Sequence, residues 1–235
     1  MAKKVPPRTE NQILEALPAK HYQSILPHLE RVSHSLKEVV YRPNEPIEYV
    51  YFPLKGGFSL IATMEGGKHI EVATVGNEEM VGIPVFLGAP TTFLMACSQI
   101  PGDALRMKSN LFLRAVKENG HLTVVLHKYL EKLMVQIAEG TGCNRTHSIV
   151  QRCARWLLTT HDRVHENHYY LTQKFLGQML GVRRAVVNEV PIELQKQGLF
   201  RYSWGMIHIL DRKGLEAVAC ECYRIIKAKF DRPLN

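Results

Sequence analysis

Apolar and polar positions along this chain follow two regimes. Up to about residue 105, short apolar runs alternate with turn-forming residues. Val39-Val40-Tyr41, Tyr49-Val50-Tyr51-Phe52, Phe58 to Thr63, Ile70 to Val75, Val81 to Leu87 and Phe93 to Gln99 each read as a strand. Arg42-Pro43-Asn44-Glu45-Pro46, Glu65-Gly66-Gly67 and Gly88-Ala89-Pro90 separate them, because Gly and Pro supply the backbone angles that turns require. Short strands at such regular spacing predict an antiparallel sandwich or barrel. Ahead of it, residues 10–35 predict short helices around Ile13-Leu14 and Ile25-Leu26, broken by Pro18 and Pro27.

After Gly102 the period becomes helical. Ser109-Asn110 caps a helix to about Glu118, and Gly120 breaks it. A longer helix is predicted from about His121 to Asn144, where Leu126, Leu130, Leu133 and Ile137 recur at spacings of four, three and four. Such a seam packs either against the chain's own sandwich or against the same helix of a second chain. The second use is expected here, which makes these four residues a homodimer interface. A polar joint at Arg145-Thr146 follows, then a helix near Ile149 to Leu158.

Residues Gln173 to Ile192 have the spacing of a helix-turn-helix. Leu176, Leu180, Val182, Val187 and Val190 fall where two short helices face each other, with Gly177 small enough for close approach. Gly181 sits at the sharp exit from the first helix, where positive φ excludes most side chains. Arg183, Arg184, Asn188 and Glu189 remain on one outward stripe, the face a major groove would meet, and Gln173 and Lys174 fall near phosphates. Amphipathic helix pairs are common, so the residues after the pair decide between a generic helix pair and a DNA-binding unit. Leu199 to Tyr202 and Met206 to Leu210 alternate like strands around Trp204-Gly205, which makes the unit a winged helix. Pro191 removes a helical hydrogen bond, at about 3 kcal/mol, and predicts a kink or an early end.

Charge agrees with that placement. Residues 1–140 hold 15 Lys/Arg against 14 Asp/Glu, whereas residues 141–235 hold 15 against 8. The basic surplus therefore lies with the helix-turn-helix, and cation–phosphate neutralisation is the sequence-independent part of DNA affinity. No apolar run approaches a membrane span and no signal peptide opens the chain, so a soluble, cytoplasmic protein with no membrane partner is expected.

The chemistry-bearing residues are less organised. Cys97, Cys143, Cys153, Cys220 and Cys222 include no pair spaced like a zinc ribbon or a Cys-x-x-Cys. Cys220 and Cys222, two apart on an expected helix, point to nearly opposite sides. Reduced structural thiols and no metal site are the expectation. His161, His165 and His168 are expected in an exposed turn before the wing and are likewise set aside as ligands. The competing function is a thiol enzyme using Cys97, Cys143 or Cys153, or a His-based metal-dependent one. With no nucleophile elbow or glycine-rich phosphate loop, no catalytic residue is assigned and the protein is not expected to be an enzyme.

The order of parts, with Gly56-Gly57-Phe58-Ser59-Leu60, Leu171-Thr172-Gln173 through Gly181-Val182-Arg183-Arg184, and Gln197-Gly198-Leu199-Phe200, resembles the Crp/Fnr family of bacterial transcription regulators over nearly the whole chain. The resemblance implies an α+β fold. An antiparallel β jelly-roll sensor of cyclic-nucleotide-binding type would occupy residues 1–120, a long dimerisation helix and hinge 121–146, and a Crp-type winged helix-turn-helix 147–235. It implies a homodimer on double-stranded promoter or operator DNA, with RNA polymerase as a candidate further partner.

The chain also departs from that family. Cyclic-nucleotide-binding relatives hold the ribose with a Gly-Glu step and the phosphate with an Arg-Ser or Arg-Thr step about ten residues later. Here the first place reads Gly82-Ile83, and no arginine occurs between Arg42 and Arg106, which leaves Lys55 and Lys68. No cysteine precedes Cys97, so the cluster of iron-sulfur relatives is missing. The reading positions that often hold Glu and Arg carry Ala185 and Glu189. No cofactor is assigned, and the effector is expected to be something other than cyclic AMP.

Overall fold

A computed structural model describes residues 9–164, 166–181 and 192–234. The chain forms two compact units, one of residues 1–61, 73–134 and 232–235, the other of residues 62–72 and 135–231.

The first unit opens with α1 (Gln12–Glu15), α2 (Ala19–Ile25) and a single 3-10 turn, Leu26–His28. Asn11, fully buried, caps α1 through Leu14 N and donates to the carbonyls of Pro53 and Glu79 at 3.0 and 2.9 Å. It thereby ties the N-terminal helices to the sandwich. The strands are β1 (Glu30–His34), β2 (Val39–Tyr41), β3 (Tyr49–Pro53), β4 (Gly57–Thr63), β5 (His69–Val75), β6 (Leu94–Ile100) and β7 (Gly102–Lys108), with a short helix α3 (Ile83–Phe86) between β5 and β6. They form two sheets, ordered β1-β7-β3 and β2-β6-β4-β5. Val50, Phe52, Phe58, Val75, Ala104 and Leu105 are buried in the core, where each large side chain contributes about 1.5–3 kcal/mol by leaving water.

Several expectations are corrected. Residues 30–34, expected within a helical stretch, form β1, and residues 102–108, where a helical period is expected, form β7. The two pair antiparallel from Glu30↔Arg106 to His34↔Gly102, so each supplies the other's backbone hydrogen bonds. The apolar run Val81 to Leu87 is not a strand. Val81 makes one bridge to Tyr51, Gly82 then turns at φ +99°, and Ile83 begins α3 with Pro84 in its first turn, where the missing N–H has no helical partner to lose. Finally α4 (Ser109–Glu118) has the expected length but no Ser109 cap, because the Ser109 hydroxyl donates instead to the Ile47 carbonyl. Asn119 starts α5 (Gly120–Thr146), accepting from the N–H groups of His121 and Leu122.

In the second unit the end of α5 leads to α6 (Ile149–Val164), β8 (His168–Tyr170), α7 (Gln173–Leu180), a helical segment α8 at 192–196, β9 (Phe200–Ser203), β10 (Met206–Ile209), α9 (Arg212–Val218) and α10 (Glu221–Phe230). The sheet order is β8-β10-β9. Leu157, Leu158, Leu176, Leu194, Ile207 and Leu215 are buried together with Ala154 and Phe200. The Arg212 guanidinium joins three helices, donating to Asp162 at 2.7 Å and to the Tyr223 hydroxyl at 2.6 Å, while Tyr223 donates to Asp162 at 2.9 Å. Among the described residues, no helix is long and apolar enough to cross a membrane.

Candidate nucleic-acid interface and associated sites

Helix α7 is positioned at both ends. Thr172 caps it, its hydroxyl accepting from Phe175 N at 3.2 Å. At the other end Gly181 takes φ +66°, as the sequence spacing requires, and Arg152 of α6 donates to the Leu180 carbonyl. Phe175, Leu176, Met179 and Leu180 are buried. Gln173 and Lys174 occupy the first turn of α7, where unpaired backbone N–H groups favour anions. Arg183, Arg184, Asn188 and Glu189, with Val182, Val187, Val190 and Pro191, lie outside the described residues. Leu194 of α8 is fully buried, and Gln195 accepts from Tyr202 N at 2.8 Å, which couples this helical segment to the wing.

The wing strands run Phe200–Ser203 and Met206–Ile209, close to the expected spans. Trp204 and Gly205 both have positive φ, +52° and +79°, the signature of a tight type I′ hairpin. A Cβ at Gly205 would lie 2.7 Å from the Tyr170 ring. Trp204 is 99% exposed at the tip. The outward row His168, His208 and Arg201 crosses the three strands in register, with the two imidazoles stacked at 5.9 Å. Sequence spacing marks Trp204 as turn punctuation only. Its full exposure sets it apart from the buried Phe200, Ile207 and Ile209 of the wing strands.

His161 and His168 are not in an exposed turn. His161 lies on α6, its two ring nitrogens engaged with Asn167 and Arg212 at 3.0 and 2.6 Å, and His168 belongs to β8. His165 is outside the described residues.

On α5 the four seam residues divide. Leu126 and Leu133 are 0% and 4% exposed within this chain, while Leu130 and Ile137 are half-buried. Leu126 and Leu133 share their buried face with Leu122, Val125 and Tyr129. Met134 is 63% exposed. Thr123, His127, Leu130, Met134, Ile137 and Thr141 follow at alternating spacings of four and three, and none of them is fully buried.

In the sandwich, Ile83 is 6% exposed, whereas Lys55 and Lys68 are both exposed. The buried polar groups of the strands include His34, Ser59, Ser98 and Gln99. They form two pairs, with Ser59 donating to Gln99 at 3.1 Å and His34 Nδ1 bonded to Ser98 at 2.8 Å.

A group that the spacing rules set aside comes together in the second unit. The ligand atoms of Cys143, His147, Cys220 and Cys222 all lie within 4.8 Å of one another. The expectation that Cys220 and Cys222 diverge fails because Cys220 is not helical. It is the N-cap of α10, extended at φ −71°, ψ 162°, and Cys222 is the second residue of that helix. Cys143 lies in the last turn of α5 and His147 directly follows that helix. Cys143 and Cys220 Sγ are 3.5 Å apart, and Cys222 Sγ is 3.8 Å from His147 Nδ1. The Cys220 thiol donates to Cys143 and Arg155 lies beside it, which holds the Cys143 thiol well below its ordinary range.

Residues 31–119 match the family model of a cyclic nucleotide-binding domain, and residues 151–218 that of a Crp-like helix-turn-helix domain. FixK2 from Bradyrhizobium japonicum superposes with a TM-score of 0.69 at 18% identity, over 82% of this chain and 98% of that one. CLP from Xanthomonas campestris, described as a c-di-GMP responsive global regulator, gives 0.65 at 17%, over 82% and 99%. A CRP/FNR family transcriptional regulator from Thermus thermophilus gives 0.59 at 24%, over 81% and 98%. No curated protein matches. The solved structures share the fold, and the two family models span well over half of the chain in the order sensor, then helix-turn-helix. The chain therefore belongs to the Crp/Fnr family of DNA-binding transcription regulators.

Proposed function

We propose that this regulator binds promoter DNA as a homodimer, is not an enzyme, and answers through its β-roll to an effector other than cyclic AMP. The observation that carries the DNA reading is the capped helix α7 beside a wing whose tip presents Trp204 fully to solvent. Gln173 and Lys174 lie near phosphates, and Arg183, Arg184, Asn188 and Glu189 read bases in the major groove, with Trp204 packing against the flanking sugar-phosphate backbone. Arginine to guanine and asparagine to adenine are the pairings that geometry favours, at about 1–3 kcal/mol of discrimination each. The test is selection from a randomised DNA library. Arg184→Ala should relax preference at one position, and Lys174→Ala should weaken all sequences alike and lower the salt dependence. Equal selectivity of the Arg184 variant and the parent overturns the assignment.

The dimer surface is the strip Leu130, Met134 and Ile137 with the flanking Thr123, His127 and Thr141, displaced by one position from the seam read in the sequence. Leu126 and Leu133 are spent on the chain's own core, so the heptad spacing of the exposed strip is what supports pairing. A two-fold dimer presents two recognition units to paired half-sites.

For the sensor, charge decides. A buried cyclic phosphodiester keeps its negative charge and needs a paired cation or several donors. The place of the sugar-binding acid is the apolar, buried Ile83, and Lys55 and Lys68 are solvated. CLP is described as c-di-GMP responsive, and the same requirement applies to that dianion. Calorimetric titration with cyclic AMP, cyclic GMP and cyclic di-GMP should show no binding below about 1 mM, or roughly −4 kcal/mol. Micromolar binding lost on changing Lys55 or Lys68 overturns it.

A further inference from the structure

We infer that Cys143, His147, Cys220 and Cys222 form a closed, structural Zn²⁺ site within the second compact unit. The donor set comes from two short spans, a Cys-x-x-x-His across the last turn of α5 and a Cys-x-Cys entering α10. Three thiolates and one imidazole are ligands that Zn²⁺ accepts in tetrahedral geometry, whereas Mg²⁺ and Ca²⁺ select oxygen.

The distances fit one metal. With Zn–S of about 2.3 Å and Zn–N of about 2.0–2.1 Å, the edges of the tetrahedron are roughly 3.5–3.8 Å long. The Cys143–Cys220 and Cys222–His147 edges are 3.5 and 3.8 Å, and the widest separation in the group is within 4.8 Å. The three cysteines are 0–3% exposed, so water does not compete for a coordination position. With all four positions filled by protein the site has no open place for a substrate, which makes it structural.

The surroundings point the same way. His147 directs Nδ1 toward Cys222 while Nε2 meets the Glu221 carboxylate at 3.2 Å. That is the carboxylate–imidazole relay that fixes the tautomer of a metal-bound histidine. Zn²⁺ with three thiolates and a neutral imidazole carries one negative charge, and Glu139 lies near Cys222. Arg152 and Arg155 of α6 face the thiols and offset that charge. A disulfide between Cys143 and Cys220 would use two of the four groups and leave this relay without a task. The metal uses all of them, and joins the C-terminal helix to the end of α5.

The full chain, purified under reducing conditions in buffer containing Zn²⁺, should retain one Zn²⁺ per chain by elemental analysis after exhaustive dialysis. Replacing Zn²⁺ by Co²⁺ should produce visible d–d bands of a tetrahedral thiolate-rich site. Cys222→Ser should remove both signals, Cys97→Ser should keep both, and Glu221→Gln should weaken Zn²⁺ binding roughly 10–100-fold with the Co²⁺ spectrum retained. Metal-free parent protein with no Co²⁺ bands overturns the inference, whatever the folding of the variants. So does a Cys143–Cys220 disulfide that persists in the reduced, Zn²⁺-treated protein, or metal retained in full by Cys222→Ser.

Discussion

The indole N–H of Trp156 on α6 donates to the Glu71 carboxylate at the end of the β4–β5 hairpin, across 2.8 Å. Residues 62–72 belong to the same compact unit as α6, and this bond links the two. A hydrogen bond to a charged acceptor contributes about 1.5–3 kcal/mol when shielded. Glu71 is half-buried, so Trp156→Phe should lower the stability of this unit by about 1–2 kcal/mol. Glu71→Gln should lose less, because an amide oxygen still accepts. Chemical denaturation of both variants and the double variant checks this, and coupling near zero refutes it.

With Trp156 replaced by Phe, Trp204 is the chain's remaining tryptophan. Its emission should be that of a water-exposed indole and should change on binding operator DNA. Trp204→Ala should weaken operator binding about tenfold, or roughly 1.4 kcal/mol, and leave the thermal midpoint no lower. Unchanged affinity in a fluorescence or filter-binding titration removes Trp204 from the interface.

Two neighbouring residues on α5 should behave oppositely. Met134→Asp places a charge on an exposed strip and should yield folded monomers with reduced operator affinity. Leu133→Asp buries an unpaired charge in the chain's own core, which is costly, and should unfold the first unit before any effect on assembly can be read. Sedimentation and circular dichroism separate the two, and a dimeric Met134→Asp protein sinks the proposed strip.

Alkaline pH should destabilise the fold. Complete burial pushes the Cys153 thiol up to about 12, and burial likewise raises the Tyr129 and Tyr169 phenols. Each group binds its proton more tightly folded than unfolded, so stability is full below the unfolded pKa and is lost as pH rises toward the folded one. For Cys153 the window is from about 9 to about 12, at about 1.4 kcal/mol per pH unit. Denaturation midpoints measured across that range should fall with pH, and Cys153→Ala should show a shallower fall. A flat profile refutes it.

Most of the sandwich was legible because turns bearing Gly and Pro bound short apolar runs such as Phe58 to Thr63. The run Val81 to Leu87 was not, since uniformly apolar residues carry no period, and only Pro84 hinted at a helix start. Residues 102–108 alternate between buried and outward only from Leu105 to Lys108, a stretch too short to separate from the helix that follows directly at Ser109. On α5 periodicity records that a face is covered without recording what covers it, and Leu126 and Leu133 are covered within this chain. The thiol group was unreadable from spacing alone. Cys143 and Cys220 are separated by 77 residues, and their meeting depends on Cys220 leaving the helix as its N-cap.

The hairpin at Trp204-Gly205 sets stability against use. Positive φ at a non-glycine residue costs about 1–2 kcal/mol, and a turn optimised only for folding would place asparagine before the glycine. Trp204→Asn should therefore yield a more heat-resistant protein that grips DNA less well, a trade in which the wing gives up folding free energy to keep an aromatic ring in the solvent.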